Sequence, residues 1–134
     1  MKAELTRESL RSDLVRRVQE ISGQNLLACY QCGRCSAGCP AAAVMDLLPN
    51  QVVRLVQLGL VRDAMASRTI WFCAACLACE ARCPKGVDLP RVMEALRELV
   101  MERGNDYLPP SAILQQNLDE WPQQAFIGGF RKYT

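Results

Sequence analysis

Residues 29–40 read CYQCGRCSAGCP and residues 73–84 read CAACLACEARCP, and together they hold all eight cysteines of a 134-residue chain that has no histidine. Both stretches obey C-x2-C-x2-C-x3-C-P: Cys29, Cys32, Cys35, Cys39 and Pro40, then Cys73, Cys76, Cys79, Cys83 and Pro84. Matching cysteines lie 44 positions apart.

This spacing is that of bacterial-type iron-sulfur ligation. Three thiolates at two-residue gaps can curl around three corners of a cubane, while the fourth, past a three-residue gap and beside a proline, points away and completes the neighbouring cube. The pattern predicts two [4Fe-4S] clusters, one held by Cys29, Cys32, Cys35 and Cys83, the other by Cys73, Cys76, Cys79 and Cys39. Such crossing locks the two halves together, so metal and fold are expected to be lost together. Zinc is the weaker alternative, because it takes paired cysteines across a long spacer and leaves Cys35 and Cys79 without a role. Disulfides fit poorly with a reducing compartment. Clusters that only hold shape remain open, since spacing reports ligation and not potential.

Outward from these runs the chain reads as all-α. Half the residues are apolar but only 6% are aromatic, a balance that suits helices packed with Leu, Val and Ala. Leu10, Leu14, Val18 and Ile21 recur at helical steps within residues 5–21, with Thr6 as N-cap and Gly23 just past the end. The cysteine runs, with Gly33 and Gly38, read as loops. After the first, AAAVM makes one short turn. Pro49 then opens a helix carrying Val52, Val53, Leu55, Val56 and Leu58 to Gly59, and a shorter helix, LVRDAMAS, follows. After the second run Asp88 caps a helix with Leu89, Val92, Met93, Leu96, Leu99 and Val100 facing inward and Gly104 as its stop. Asp46-Leu47-Leu48-Pro49 and Asp88-Leu89-Pro90 rhyme, so the two halves read as an internal duplication.

Three segments result: an N-terminal amphipathic helix in 1–24, a two-cluster helical domain in 25–104 and an extension in 105–134. That extension has three prolines, the pair Gly128-Gly129 and scattered Trp121, Phe126, Ile127 and Phe130, which fits either a loose tail or anchors for a partner protein.

Other functions are disfavoured by what the chain lacks. A formal charge of +2, spread thinly, gives no electrostatic footprint for nucleic acid, and the arginines of 11–17 alternate with Asp13 and are flanked by Glu8 and Glu20, as on a solvated helix face. No stretch is apolar enough to span a membrane and the N-terminus has no signal-peptide core, so a cytoplasmic protein without direct membrane insertion is expected. No Rieske centre, haem histidine or Cys-His couple is available, and neither G-x-G-x-x-G nor a phosphate-loop motif occurs. Two clusters without substrate chemistry describe an electron relay. Arg34 and Arg82, inside the runs, are placed to offset cluster charge, and Trp71 and Phe72 are expected to pack beside a cluster and exclude water.

The two cysteine runs, the linking LLPNQVVRLVQLG and the segment TIWFCAACLACEARCPKGVDL resemble the C subunit of heterodisulfide reductase and its bacterial relatives over roughly residues 10–103. The resemblance implies an α-helical ferredoxin with pseudo-duplicated helices around two [4Fe-4S] clusters. It also implies partners: a flavin-containing protein like the enzyme's A subunit, and a protein like its B subunit whose CCG domains carry the catalytic clusters. No Cys-Cys-Gly occurs here, so the chain looks like an isolated C subunit, a non-catalytic electron-transfer component of an oxidoreductase complex. The iron-sulfur subunits of fumarate reductase, glycolate oxidase and anaerobic glycerol-phosphate dehydrogenase share the cysteine runs and form the alternative, together with a scaffold bearing structural clusters.

Overall fold

A computed structural model describes residues 12–101 and 122–130, and every described element is helical. The chain divides into two compact units, Met1–Arg103 and Gly104–Thr134.

In the first unit, α1 (Asp13–Ser22) begins at Ser12, whose extended backbone and side-chain oxygen, accepting from Val15 N at 3.4 Å, form an N-cap. Of the helix expected over 5–21, the described part begins at Asp13; Thr6 and Leu10 lie outside the described residues. Gly23, at φ 66°, closes α1. Its outer face is solvated, with Arg16 bridging exposed Asp13 and Glu20.

A 3₁₀ turn (Leu26–Ala28) leads to the one-turn helix α2 (Arg34–Ala37), and a second 3₁₀ turn (Ala42–Val44) leads to α3 (Pro49–Gln57). Pro49 opens α3 without costing a hydrogen bond, since the first-turn N–H groups have no helical partner, and Gln51 Oε1 accepts from Leu48 N at 2.8 Å. Then come α4 (Val61–Ala66), α5 (Thr69–Phe72), α6 (Ala78–Ala81) and α7 (Leu89–Met101). The turns α2 and α6 lie within the cysteine runs, where the sequence reads only as loop: four-residue helices leave no apolar period to detect.

The long helix α7 organises the unit. Contacts run from it to α1, α3, α4, α5 and α6, and its Leu89, Val92, Met93, Ala95, Leu96 and Leu99 are buried. Against them lie Val18, Leu26, Val52, Val53, Val56, Val61, Ala64, Met65 and Ile70. Fully burying side chains of this kind contributes roughly 1.5–3 kcal/mol each, so α7 is the element whose loss would dissolve the core. Val100, Leu55 and Leu58 are only half-buried.

The rhyming aspartates do different jobs. Asp88 Oδ1 accepts from Arg91 N at 3.2 Å, capping its own helix. Asp46 instead crosses to the second half, accepting from Arg68 N and Thr69 N, both at 2.9 Å, and from the Thr69 hydroxyl at 2.7 Å. It thereby clamps the start of α5, which delivers Cys73. These donors, the Arg68 amide foremost, hold the Asp46 carboxyl down to about 2.

In the second unit Gln123–Phe130 form a helix, α8, within the segment that the sequence reads as an extension. Ile127 on it is exposed; Trp121 lies outside the described residues.

Candidate metal centre

Two cavities take their walls from both cysteine runs. One is lined by Cys73, Cys76, Cys79 and Cys39, with Met45, Pro90 and Met93 among its apolar neighbours. The other is lined by Cys29, Cys32, Cys35 and Cys83, with Gln31 and Asn50. Leu89 lines both and stands between them. Both are partly open to solvent.

The backbone that positions these sulfurs repeats after 44 residues. Gln31 and Ala75 are left-handed (φ 63° and 51°), as are Gly33 and Leu77 (φ 77° and 62°). Each second left-handed residue starts a one-turn helix, α2 or α6, that carries the third cysteine. Alternating the sign of φ coils the chain so that side chains two gaps apart face one centre. An ordinary residue in this region costs roughly 1–3 kcal/mol, which glycine avoids at position 33 and Leu77 does not.

Neighbouring side chains fix the two coils to the core helices. In the first, Gln57 on α3 donates through Nε2 to Leu26 O (2.7 Å) and Cys29 O (2.8 Å). In the second, Arg97 on α7 donates through Nη2 to Cys73 O at 3.0 Å. Gln31 Nε2 approaches Cys29 Sγ at 3.5 Å, and its Oε1 accepts from Asn50 Nδ2 at 3.4 Å, an orientation that aims the amide's N–H at the sulfur. Ser36 ties Asn50 into this network, accepting from Asn50 N at 3.0 Å and donating to Asn50 Oδ1 at 2.6 Å. Val87 N donates to Cys83 Sγ at 3.3 Å. Arg82 from the second run lies over Gly38 of the first, so closely that a Cβ there would strike its guanidinium. Sequence reading finds the cysteines but not Gln31, Asn50, Gln57 or Arg97, because polar residues in a loop (Gln31) or on amphipathic helices (Asn50, Gln57, Arg97) are indistinguishable from solvated ones until the fold places them.

Burial pushes the Cys79 thiol up to about 11, with Cys73 and Cys35 raising it further, and burial likewise raises Cys35. Cys32 is lowered, first by the Arg34 backbone N–H, and the Tyr30 hydroxyl hydrogen-bonded to that sulfur is raised. Cys32 and Cys76 are the exposed members of their runs. Among the described residues no three His, Cys, Asp or Glu side chains gather as around a single ion; the sulfurs border cavities instead. Four sulfurs per cavity, apolar walls and N–H groups aimed at sulfur fit an iron-sulfur cubane.

Trp71 and Phe72 depart from the expected packing: they are 52% and 38% exposed, with the Arg68 guanidinium 5.1 Å from the Phe72 ring centre. Their backbone enters the second coil while the side chains face out.

Residues 25–87 match the family described as the 4Fe-4S dicluster domain. Fold and site together define an α-helical iron-sulfur protein with two [4Fe-4S] clusters. More particularly, the chain is a homologue of the C subunits of heterodisulfide reductases. It is 36% identical over 94 residues to the iron-sulfur C subunit of the CoB--CoM heterodisulfide reductase of Methanopyrus kandleri, covering 69% of this chain and 49% of that one. To the iron-sulfur C 2 subunit of the same enzyme from Methanocaldococcus jannaschii it is 37% identical over 82 residues, 61% of this chain and 44% of the other. The C2 subunit of the H(2)/formate:CoB-CoM heterodisulfide,ferredoxin reductase of Methanococcus maripaludis is 29% identical over 109 residues, 78% and 59% of the two chains. The chain spans about half the length of these relatives. Among the described residues no helix is long and apolar enough to cross a membrane.

Proposed function

We propose that this chain is the electron-relaying component of a heterodisulfide reductase-like complex, passing electrons between a flavin-containing protein of the A-subunit type and a CCG-domain protein of the B-subunit type. Its clusters are held crosswise, one by Cys29, Cys32, Cys35 and Cys83, the other by Cys73, Cys76, Cys79 and Cys39. When bound, they supply reversible one-electron storage. The observation that carries this reading is the pair of neighbouring cysteine-lined cavities, each drawing one cysteine from the opposite run and sharing Leu89 as a wall.

The protein's own residues supply support and insulation. Gln57 and Arg97 hold the entry to each coil by its carbonyl, Gln31 and Val87 present N–H groups to sulfur, and Met45, Leu89, Pro90 and Met93 give the cavity at Cys73 an apolar wall. Within this reading residues 25–104 are the cluster domain, 105–134 dock a partner protein, and the thiol-rich site belongs to the reducing cytoplasm. Chemistry on the final substrate belongs to the partner with CCG domains.

Anaerobic purification from the native cell tests this. Co-elution with a flavoprotein and a CCG-domain protein, and cluster reduction by the flavoprotein, is the expected result. Clusters that no biological donor reduces would return the chain to a scaffold.

A further inference from the structure

The cavity at Cys29 has a cation in its wall, Arg34, whereas among the described residues no charged one lines the cavity at Cys73. Cys32 is exposed at the rim of the first, and beside it Tyr30 is 57% and Leu27 75% exposed. Lys85, just past the second run, holds its Nζ 5.9 Å from the Tyr30 ring centre. Arg34 lines the same cavity and faces Arg82 across a surface groove floored by Ala37 and Ala81. Arg34, Arg82 and Lys85 are all exposed, and among the described residues no carboxylate lines that cavity or that groove. At the second exposed thiol, Cys76, the neighbours are Ala74, Ala75 and Leu77, with Trp71 and Phe72 at the entry to the coil. The cations nearby are matched by acids, Arg91 and Arg97 sharing a groove with Glu80, Asp88 and Glu94, while Arg68 stands over the Phe72 ring.

We propose that this rim, built from Tyr30, Cys32, Arg34, Arg82 and Lys85, is the docking surface for an acidic one-electron carrier protein. The inference rests on the relay reading and adds to it which cluster faces a mobile partner. Cations ringing an aromatic side chain steer an acidic protein toward the exposed sulfur corner and raise its encounter rate, while Tyr and Arg suit the contact itself. The step is a one-electron exchange in which the carrier is oxidised and the cluster reduced, with no bond made or broken. An oxidised cubane with its four thiolates carries about −2, so three rim cations leave the corner about +1 before the electron arrives and about neutral afterwards. The donor is thus held more tightly before transfer than after it.

The test is stopped-flow reduction of the full-length, cluster-loaded protein by a reduced acidic plant-type ferredoxin over a series of ionic strengths. The second-order rate should fall as salt rises. In R34Q/R82Q/K85Q it should be roughly tenfold lower at low salt and nearly flat with salt. Because Arg82 lies on Gly38 and its loss can disturb assembly, R34Q/K85Q is measured beside it, each variant first shown to keep wild-type iron content. W71A, at the exposed aromatic beside the other corner, should leave the rate unchanged. A salt-independent rate, wild-type kinetics in R34Q/K85Q, or slowing confined to W71A would overturn the docking surface. Dithionite reports on the relay separately: clusters it cannot reduce sink the relay reading and this one with it, whereas dithionite-reducible clusters with a salt-flat ferredoxin rate sink only the docking surface.

Discussion

From Leu26 to Cys39 and again, 44 residues on, from Ile70 to Cys83, the backbone follows one course: a helical turn, two left-handed residues around the second cysteine, and a one-turn helix bearing the third. What surrounds that course differs. The first coil has Gln31 aimed at Cys29 Sγ where the second has Ala75, a neutral Gln57 on the carbonyl of its first cysteine where the second has the cation Arg97, and glycine at position 33 where the second has Leu77. Past the fourth cysteine the correspondence drifts, with ten positions from Cys39 to Pro49 but seven from Cys83 to Pro90. Ligation geometry therefore dictates the backbone of each coil, and the side chains around it are free to give the two clusters different surroundings.

The largest expected effect breaks the two halves crosswise. Cys39→Ala should empty the cluster assigned to Cys73, Cys76 and Cys79 and spare its neighbour, and Cys83→Ala should do the reverse, each costing about half the iron. Iron analysis with paramagnetic resonance of the reduced sample checks this; loss confined to the mutated run would refute the crossing.

A smaller effect separates the two aspartates. Asp46→Ala, which frees the start of α5, should cost about 1 kcal/mol at pH 7, the usual worth of a capping side chain, read from chemical denaturation. Asp46 titrates at about 2 in the fold and near 4 when unfolded. Its charged form thus stabilises fully above pH ~4, and that contribution fades as pH falls through about 2. The difference between wild type and Asp46→Asn should narrow over that window, and a constant difference would mean that the charge is irrelevant.

Gln31→Ala makes the first coil resemble the second. A donor to sulfur favours the more negative, reduced state, so the potential of the cluster at Cys29 should fall while the other holds steady in a redox titration followed by paramagnetic resonance. Equal shifts in both would deny the local hydrogen bond its role. Leu77→Gly makes the second coil resemble the first and should be nearly neutral in stability, because relief of left-handed strain, roughly 1–2 kcal/mol, is offset by greater freedom of the unfolded chain. A loss well above 1 kcal/mol would show that the leucine side chain packs.

Much of this was legible in the residues. The cysteine spacing, the apolar stripe of α7 and the buried face of α3 follow from periodicity and ligand chemistry alone. The Ser12 cap of α1 was not, because a serine within an apolar period reads as a solvated helix position until its side chain accepts from Val15 N. Nor was the crossing of Asp46 to α5: an aspartate before a helix reads as that helix's cap, and its partners at Arg68 and Thr69 are more than twenty residues away. The exposure of Trp71 and Phe72 defied the burial expected of aromatic residues beside a cluster, since α5 turns Thr69 and Ile70 inward instead.

The two-cluster assignment is tested most directly by iron and acid-labile sulfide analysis of the anaerobically purified protein, with paramagnetic resonance after reduction. About eight irons and eight sulfides per chain are expected, with signals of two magnetically coupled cubanes. Zinc in place of iron, or four irons in a chain with all eight cysteines intact, would contradict it.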